Sequence, residues 1–164
     1  MRLRALESKD APYMLEWMHD DSVVQFMGRD FSKNTLKRCE QFIIDSQTCL
    51  ENYHRAIVND FDEYMGTVSL KHINYELSMA EFAITVRKCA MGKGYSRYGM
   101  NEIIRLGKSE LGLKKIVWCV SKKNERAVRF YDKNKYKRTL DIPNFYKEMY
   151  TEEQLIDFIW YEEE

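Results

Sequence analysis

The sequence is short of most features that would assign it elsewhere. Only two prolines occur in 164 residues, with no low-complexity linker and no internal repeat, so one domain with a sizeable core is expected. Net charge is lacking too: 26 Lys+Arg balance 26 Asp+Glu. That argues against a dedicated nucleic-acid binder, whose phosphate-rich partner calls for a basic excess. No apolar run approaches the ~20 residues of a membrane span. Met1 to Ala5 is followed by Glu7, Lys9 and Asp10 rather than by a signal-peptide apolar block, so the expected location is the cytoplasm. The four cysteines, Cys39, Cys49, Cys89 and Cys119, form no Cys-x-x-Cys pair, and no His-carboxylate spacing suggests a metal. Neither a zinc site nor a disulfide framework is expected.

What is present is periodicity. Met1–Leu6 alternates like a first strand, and Asp10 is placed to cap a helix from Ala11 to about His19, with Met14, Trp17 and Met18 on its core side. His19-Asp20-Asp21 reads as a loop, and residues 26–34 are irregular. A helix from Thr35 to about Leu50 gathers Leu36, Cys39, Phe42 and Ile43 on one side. Strands at His54–Asn59 and Met65–Ile73 flank Asp60-Phe61-Asp62-Glu63, a hairpin signal. Leu77–Val86 is the central strand, with Ala80, Phe82, Ile84 and Val86 on one face and Glu81, Ala83 and Thr85 on the other. The run Lys115–Ser121 is nearly continuously apolar, the mark of a strand buried on both faces and parallel to its neighbour. A helix capped by Asn124 runs to Asn134; strands are expected at Tyr136–Leu140 and Leu155–Tyr161, with a solvated tail of Glu162, Glu163 and Glu164. The sum is an α/β (α+β mixed) domain of six to seven strands and about four helices, spanning residues 1–164.

The organising stretch is the glycine loop Met91-Gly92-Lys93-Gly94-Tyr95-Ser96, between the central strand and a helix from about Ser96 to Leu111 whose buried stripe is Met100, Ile103, Ile104 and Gly107. The first amides of a helix have no intrahelical partner, and the helix dipole adds positive potential there. Glycine lets a phosphate approach the backbone closely. A phosphate-bearing ligand is therefore expected at Met91–Ser96. Lys93 adds charge there or is simply a solvated side chain.

These residues resemble the Gcn5-related N-acetyltransferases, in the branch of ribosomal-protein and spermidine acetyltransferases. The family pattern Gln/Arg-x-x-Gly-x-Gly/Ala stands here as Cys89-Ala90-Met91-Gly92-Lys93-Gly94, with Cys89 in the first position and Arg87 out of register. The downstream Asn-x-x-Ala-x-x-x-Tyr-x-Lys is intact as Asn124, Ala127, Tyr131 and Lys133, while the usual Gly-Phe has become Lys135-Tyr136. The resemblance implies a sheet that splays between its two central strands, with acetyl-CoA as cosubstrate. The pantetheine arm would pair with the backbone of Ile84, Thr85 and Val86, and the pyrophosphate would rest on the amides of Met91, Gly92, Lys93, Gly94, Tyr95 and Ser96. Asn124 is either a contact to the cofactor arm or a plain N-cap.

Amide formation from a thioester needs a neutral amine, donors for an oxyanion, and an acid for the leaving thiolate. On the resembled pattern Tyr131 is the candidate acid; the other reading packs it on the buried helix face. Glu81, a charge in a central strand, is the candidate base acting through water, or else a salt-bridged carboxylate at the sheet rim. An N–H near Val86 would serve the oxyanion. Cys89 as a nucleophile fits the resemblance less well than direct transfer, and His54 and His72 read as structural or surface residues. The expected acceptor is a small-molecule or peptide amine; Asp20, Asp21, Asp62, Glu63 and Glu81 favour a cationic one such as a polyamine, amino sugar or protein N-terminus. Exposed apolar edges allow a homodimer. A non-catalytic acyl-CoA sensor on the same fold is the rival reading. A nucleotide-binding protein is disfavoured, since no Walker lysine-serine pair follows the loop.

Overall fold

The computed structural model describes residues 1–164. Four antiparallel strands come first in space: β1 (Arg2–Arg4), β2 (Tyr53–Val58), β3 (Tyr64–Asn74) and β4 (Met79–Val86). β5 (Lys115–Ser121) then joins β4 in parallel, and β7 (Phe158–Glu163) and β6 (Lys137–Arg138) complete the order β1-β2-β3-β4-β5-β7-β6. One seven-stranded sheet thus takes in both ends of the chain.

Strand alternation sorts the side chains into two cores. Ile57, Val68, Leu70, Phe82 and Val86 pack with Met100, Ile103 and Ile104 of α4 (Tyr95–Glu110) and with Tyr131 of α5 (Glu125–Lys133). Ala56, Val58 and Tyr64 pack instead with Met14, Trp17 and Met18 of α1 (Ala11–Met18), and with Cys39 and Ile43 of α3 (Leu36–Ser46). The expected faces of the central strand and the stripe of α4 are both found, and β5 lies inside the sheet, parallel to β4 as its apolar run implied.

Several expectations need correction. Asp20 does not sit in a plain loop: its carboxylate accepts from Ser22 N–H and caps a one-turn helix, α2 (Asp21–Val24). Asp10 occupies the cap position of α1, but its carboxylate is held by Arg4 at 2.7 and 2.8 Å and by Glu7 N–H, so it caps nothing there. α3 stops at Ser46, four residues short of Leu50. Tyr136–Leu140 contributes only two strand residues. Leu155–Asp157 is helical, within α7 (Glu152–Asp157), which follows a further short helix, α6 (Asn144–Lys147). The signal overlooked was a capping box: Thr151 accepts from Gln154 N–H, and Gln154 accepts from Thr151 N–H. The acidic tail is not all solvated, since Glu162 is 3% exposed, in β7, paired with Lys115 at 2.6 Å and with Lys137.

Candidate active site

The site begins where the sheet comes apart. β4 and β5 pair over three residues only, Met79–Glu81 with Lys115–Val117, after which β5 continues along β7 alone. From Phe82 onward one edge of β4 has no strand beside it. Arg87 N–H donates to the Met65 carbonyl at 2.8 Å, which makes Gly66–Val86 a non-hydrogen-bonded pair of the antiparallel ladder. By alternation Val86 and Ile84 turn their N–H and C=O toward the opening, while Thr85 turns its own toward Thr67. Backbone pairing with an extended ligand is thus open at Ile84 and Val86. Thr85, grouped with them in the sequence reading, offers the opposite face its side chain instead. Gly66 permits this strand crossing, since a Cβ there would lie 2.4 Å from the Thr85 carbonyl oxygen.

At the C-terminal end of β4 the chain passes through a 3-10 turn (Lys88–Ala90) into the glycine loop. Gly92 and Gly94 have φ of 75° and 88°, left-handed values that glycine adopts without strain. Two of the amides expected to be free are not: Met91 N–H donates to the Lys88 carbonyl and Lys93 N–H, at 3.4 Å, to that of Ala90. The amides of Gly92, Gly94, Tyr95 and Ser96 have no protein acceptor, and the last two open a sixteen-residue helix. Lys93 is exposed. Arg126, unnoticed in the sequence, comes from the first turn of α5 to within 3.9 Å of a Cβ placed on Gly92. Arg87 is committed elsewhere, paired with Glu16 and Glu63 and stacked on Tyr13. Cys89 is exposed on the 3-10 turn.

Tyr131 comes from the end of α5 into an aromatic cluster, 5.0 Å from Tyr161 and 5.5 Å from Trp118 between ring centres. It is 8% exposed, and its hydroxyl has no hydrogen-bond partner in the protein. Burial, helped by Tyr136, Tyr161 and Cys119, pushes that hydroxyl well above the usual phenol range, so it keeps its proton. Asn124 is an N-cap: Oδ1 accepts from Ala127 N–H at 3.2 Å, and its amide NH₂ makes no hydrogen bond within the protein.

Glu81 is 2% exposed and makes no salt bridge. Its Oε1 accepts from Tyr150 and from the Cys119 thiol, while Oε2 is buried without a partner. Burial and the Glu81 charge push the Cys119 thiol up to about 12. Tyr150 lies 69 residues from Glu81, and nothing local in the sequence announces the pair.

On the face of Ala83 and Thr85 lies a cavity of about 320 Å³, roofed by α1, α3 and the segment carrying Arg29, Phe31 and Asn34, and floored by His54, Thr67, Ser69 and Lys71. His54 accepts from or donates to Ser69 Oγ at 2.7 Å and packs on Phe42 at 4.8 Å. Burial, with Lys71 adding to it, depresses its pKa to about 4, so it is neutral at pH 7. The acids expected to attract a cationic acceptor are spent or elsewhere: Asp62 binds Arg2, Arg4 and Lys9, Glu63 binds Arg87, and Asp20 caps α2. No group of three or more His, Cys, Asp or Glu residues is placed to hold a metal, and no helix is long and apolar enough to cross a membrane.

A parted parallel pair beside a glycine-loop helix start defines a class of fold, and the comparisons agree with it. The family described as "Acetyltransferase (GNAT) domain" matches residues 1–137, so the chain belongs to the GNAT acetyltransferases. It is 26% identical over 133 residues to the spermidine N(1)-acetyltransferase of Escherichia coli K12, covering 81% of this chain and 70% of that one. Among solved structures it resembles spermidine N-acetyltransferase from Vibrio cholerae in complex with CoA and spermine, with TM-score 0.76, 22% identity, and coverage of 84% and 81%. A dodecameric structure of the Vibrio cholerae enzyme in an intermediate state aligns with TM-score 0.73, 19% identity, and coverage of 99% and 92%.

Proposed function

We propose that the protein transfers the acetyl group of acetyl-CoA to a primary amine by direct attack. The observation that carries this is the opening between β4 and β5: it exposes the backbone of Ile84 and Val86 beside the free amides of Gly92, Gly94, Tyr95 and Ser96. A pyrophosphate on those amides, supported by Arg126, sets the pantetheine arm along β4 as an added strand. The thioester then lies beside Ala83–Val86, next to the cavity that would hold the acceptor.

The amine nitrogen bonds to the carbonyl carbon, the oxyanion is met by Val86 N–H, and the C–S bond breaks. Tyr131 passes its proton to the leaving sulfur and regains one from solvent. The proton shed by nitrogen leaves through water toward Glu81, which lies outside the cavity lining where β4 and β5 still pair and whose Oε2 has no protein partner. A buried carboxylate oxygen with no donor is costly unless it serves something. Cys89 takes no part.

The test is thiol release from acetyl-CoA over a panel of amines, alongside calorimetry of acetyl-CoA binding. Binding with release for at least one amine is the expected result. Binding without release for every amine would make the protein an acyl-CoA sensor.

A further inference from the structure

The charged lining of the acceptor cavity is entirely basic. Arg29, Arg38 and Lys71 reach it, and no Asp or Glu does. Elsewhere this chain pairs the cations it withdraws from water: Arg4 with Asp10 and Asp62, Arg87 with Glu16 and Glu63, Lys115 with Glu162. Of the three cavity cations Arg29 and Arg38 are exposed and Lys71 is half-buried, and none has a carboxylate within ion-pair distance. Lys71 is the telling one. It is half-buried and opposes Glu81 across β3 and β4, yet Glu81 is engaged by Tyr150 and no ion pair forms. A half-buried ammonium with no carboxylate partner favours an anion drawn up beside it. Arg29, stacked over Phe31 at 5.1 Å, and Arg38, with only the Lys33 carbonyl at 3.4 Å, hold guanidinium donors free for a bidentate contact. Trp17, Phe31 and Phe42 add flat apolar walls.

Resting on the proposed acetyl transfer, we propose that the acceptor is an amine that also carries an oxyanion, a phosphate or a carboxylate. The anion docks on Arg38, Lys71 and Arg29 while the amine points to Ala83 and Thr85. This departs from the polyamines named for the relatives above. A polyamine would meet three like charges here, while the carboxylates Asp21 and Asp30 line an adjoining hollow of about 210 Å³ that also contains Arg29.

The experiment measures kcat/KM for thiol release from acetyl-CoA with four probes: glucosamine 6-phosphate, glucosamine, an α-amino acid and spermidine. A charge-assisted bidentate contact predicts at least about a tenfold preference for an anionic probe over glucosamine and over spermidine. Preference for the sugar phosphate identifies phosphate as the docked group; preference for the amino acid identifies carboxylate. Arg38→Gln, on the exposed face of α3, and Lys71→Gln should each erase most of that preference by raising KM, with acetyl-CoA binding by calorimetry retained as proof of folding. Release with spermidine equal to or above that with the anionic probes overturns the inference and leaves acetyl transfer standing. So does a preference that survives both substitutions. No release with any amine, in protein that binds acetyl-CoA, overturns both.

Discussion

Tyr131→Phe separates chemistry from packing at this site. The Tyr131 hydroxyl has no protein partner, so removing it orphans nothing, and phenylalanine keeps the ring among Trp118, Tyr136 and Tyr161. The stability cost should stay within about 0.5 kcal/mol, as for a substitution that breaks no contact. The control is Tyr161→Phe in the same cluster, which loses a bond to Asp132 Oδ1 at 3.0 Å and should cost about 1 kcal/mol in urea unfolding. Turnover should order the two the other way. A positioned general acid contributes about 10²–10⁴-fold. The leaving thiol has a pKa near ~8.5 and departs partly unaided, so the lower end is expected, a loss of about a hundredfold in kcat for Tyr131→Phe. Because burial raises the Tyr131 pKa, its protonated form persists across roughly pH 6 to 9, and kcat should show no alkaline fall from this group in that window. Stopped thiol-release assays at saturating acetyl-CoA and acceptor read this directly. A Tyr131→Phe enzyme within about twofold of the wild type would refute the assignment, and a large loss of stability would return Tyr131 to packing alone.

Three further outcomes follow from the same geometry. Gly94→Ala places a Cβ at φ 88° and should cost about 1–2 kcal/mol locally; by disturbing the free amides it should weaken acetyl-CoA binding about tenfold by calorimetry. Gly66→Ala sets a Cβ 2.4 Å from the Thr85 carbonyl oxygen and should cost about 1–3 kcal/mol in chemical unfolding, with KM for acetyl-CoA rising as Val86 shifts. His54 has a folded pKa of about 4 against an ordinary 6.5, so the unfolded chain binds the proton more readily. Its stability contribution is full above the unfolded pKa and fades as pH falls toward the folded one. Unfolding at pH 7 and pH 5 should differ by about 1–2 kcal/mol from this residue, and His54→Phe should flatten that slope.

The sheet was legible because its signals are local. Alternation through Ala80–Val86, the apolar run of Lys115–Ser121 and the asparagine cap before Glu125 each act within a few residues, and each element appears where those signals put it. The Thr151–Gln154 capping box was equally local and lost to the stretch Leu155–Tyr161, which reads as strand throughout but starts as helix and joins β7 only from Phe158. The site was legible only along the backbone. Which amides remain free depends on turn bonds at Lys88 and Ala90, and which strand residues face the opening depends on the β3–β4 register. The Glu81–Tyr150 contact joins positions 69 apart and carries no periodicity. The acids counted along the chain do not gather at the cavity, because Asp62 is paired with Arg2, Arg4 and Lys9 and Glu63 with Arg87, partners that spacing along the chain does not reveal.

That difference explains how one fold can keep a cosubstrate and change an acceptor. The proposed grip on acetyl-CoA is made by main-chain groups at Ile84, Val86 and the Gly92–Ser96 turn. Those groups depend on register, on two left-handed glycines and on where β5 leaves β4; most side chains along them can vary without altering the contact. The proposed acceptor cavity is lined largely by side chains from α1, α3, β2 and β3, and exchanging both Arg38 and Lys71 for acids would leave Arg29 outnumbered and reverse its charge with no change of backbone. On the proposed reading, a chain about one residue in four identical to a spermidine acetyltransferase can keep the backbone site and prefer an amine of different charge. The charge-reversed variant Arg38→Glu with Lys71→Glu makes this concrete. Acetyl-CoA affinity should hold while preference among amines moves toward spermidine, and a parallel loss of both would show that the two halves of the site are not separable.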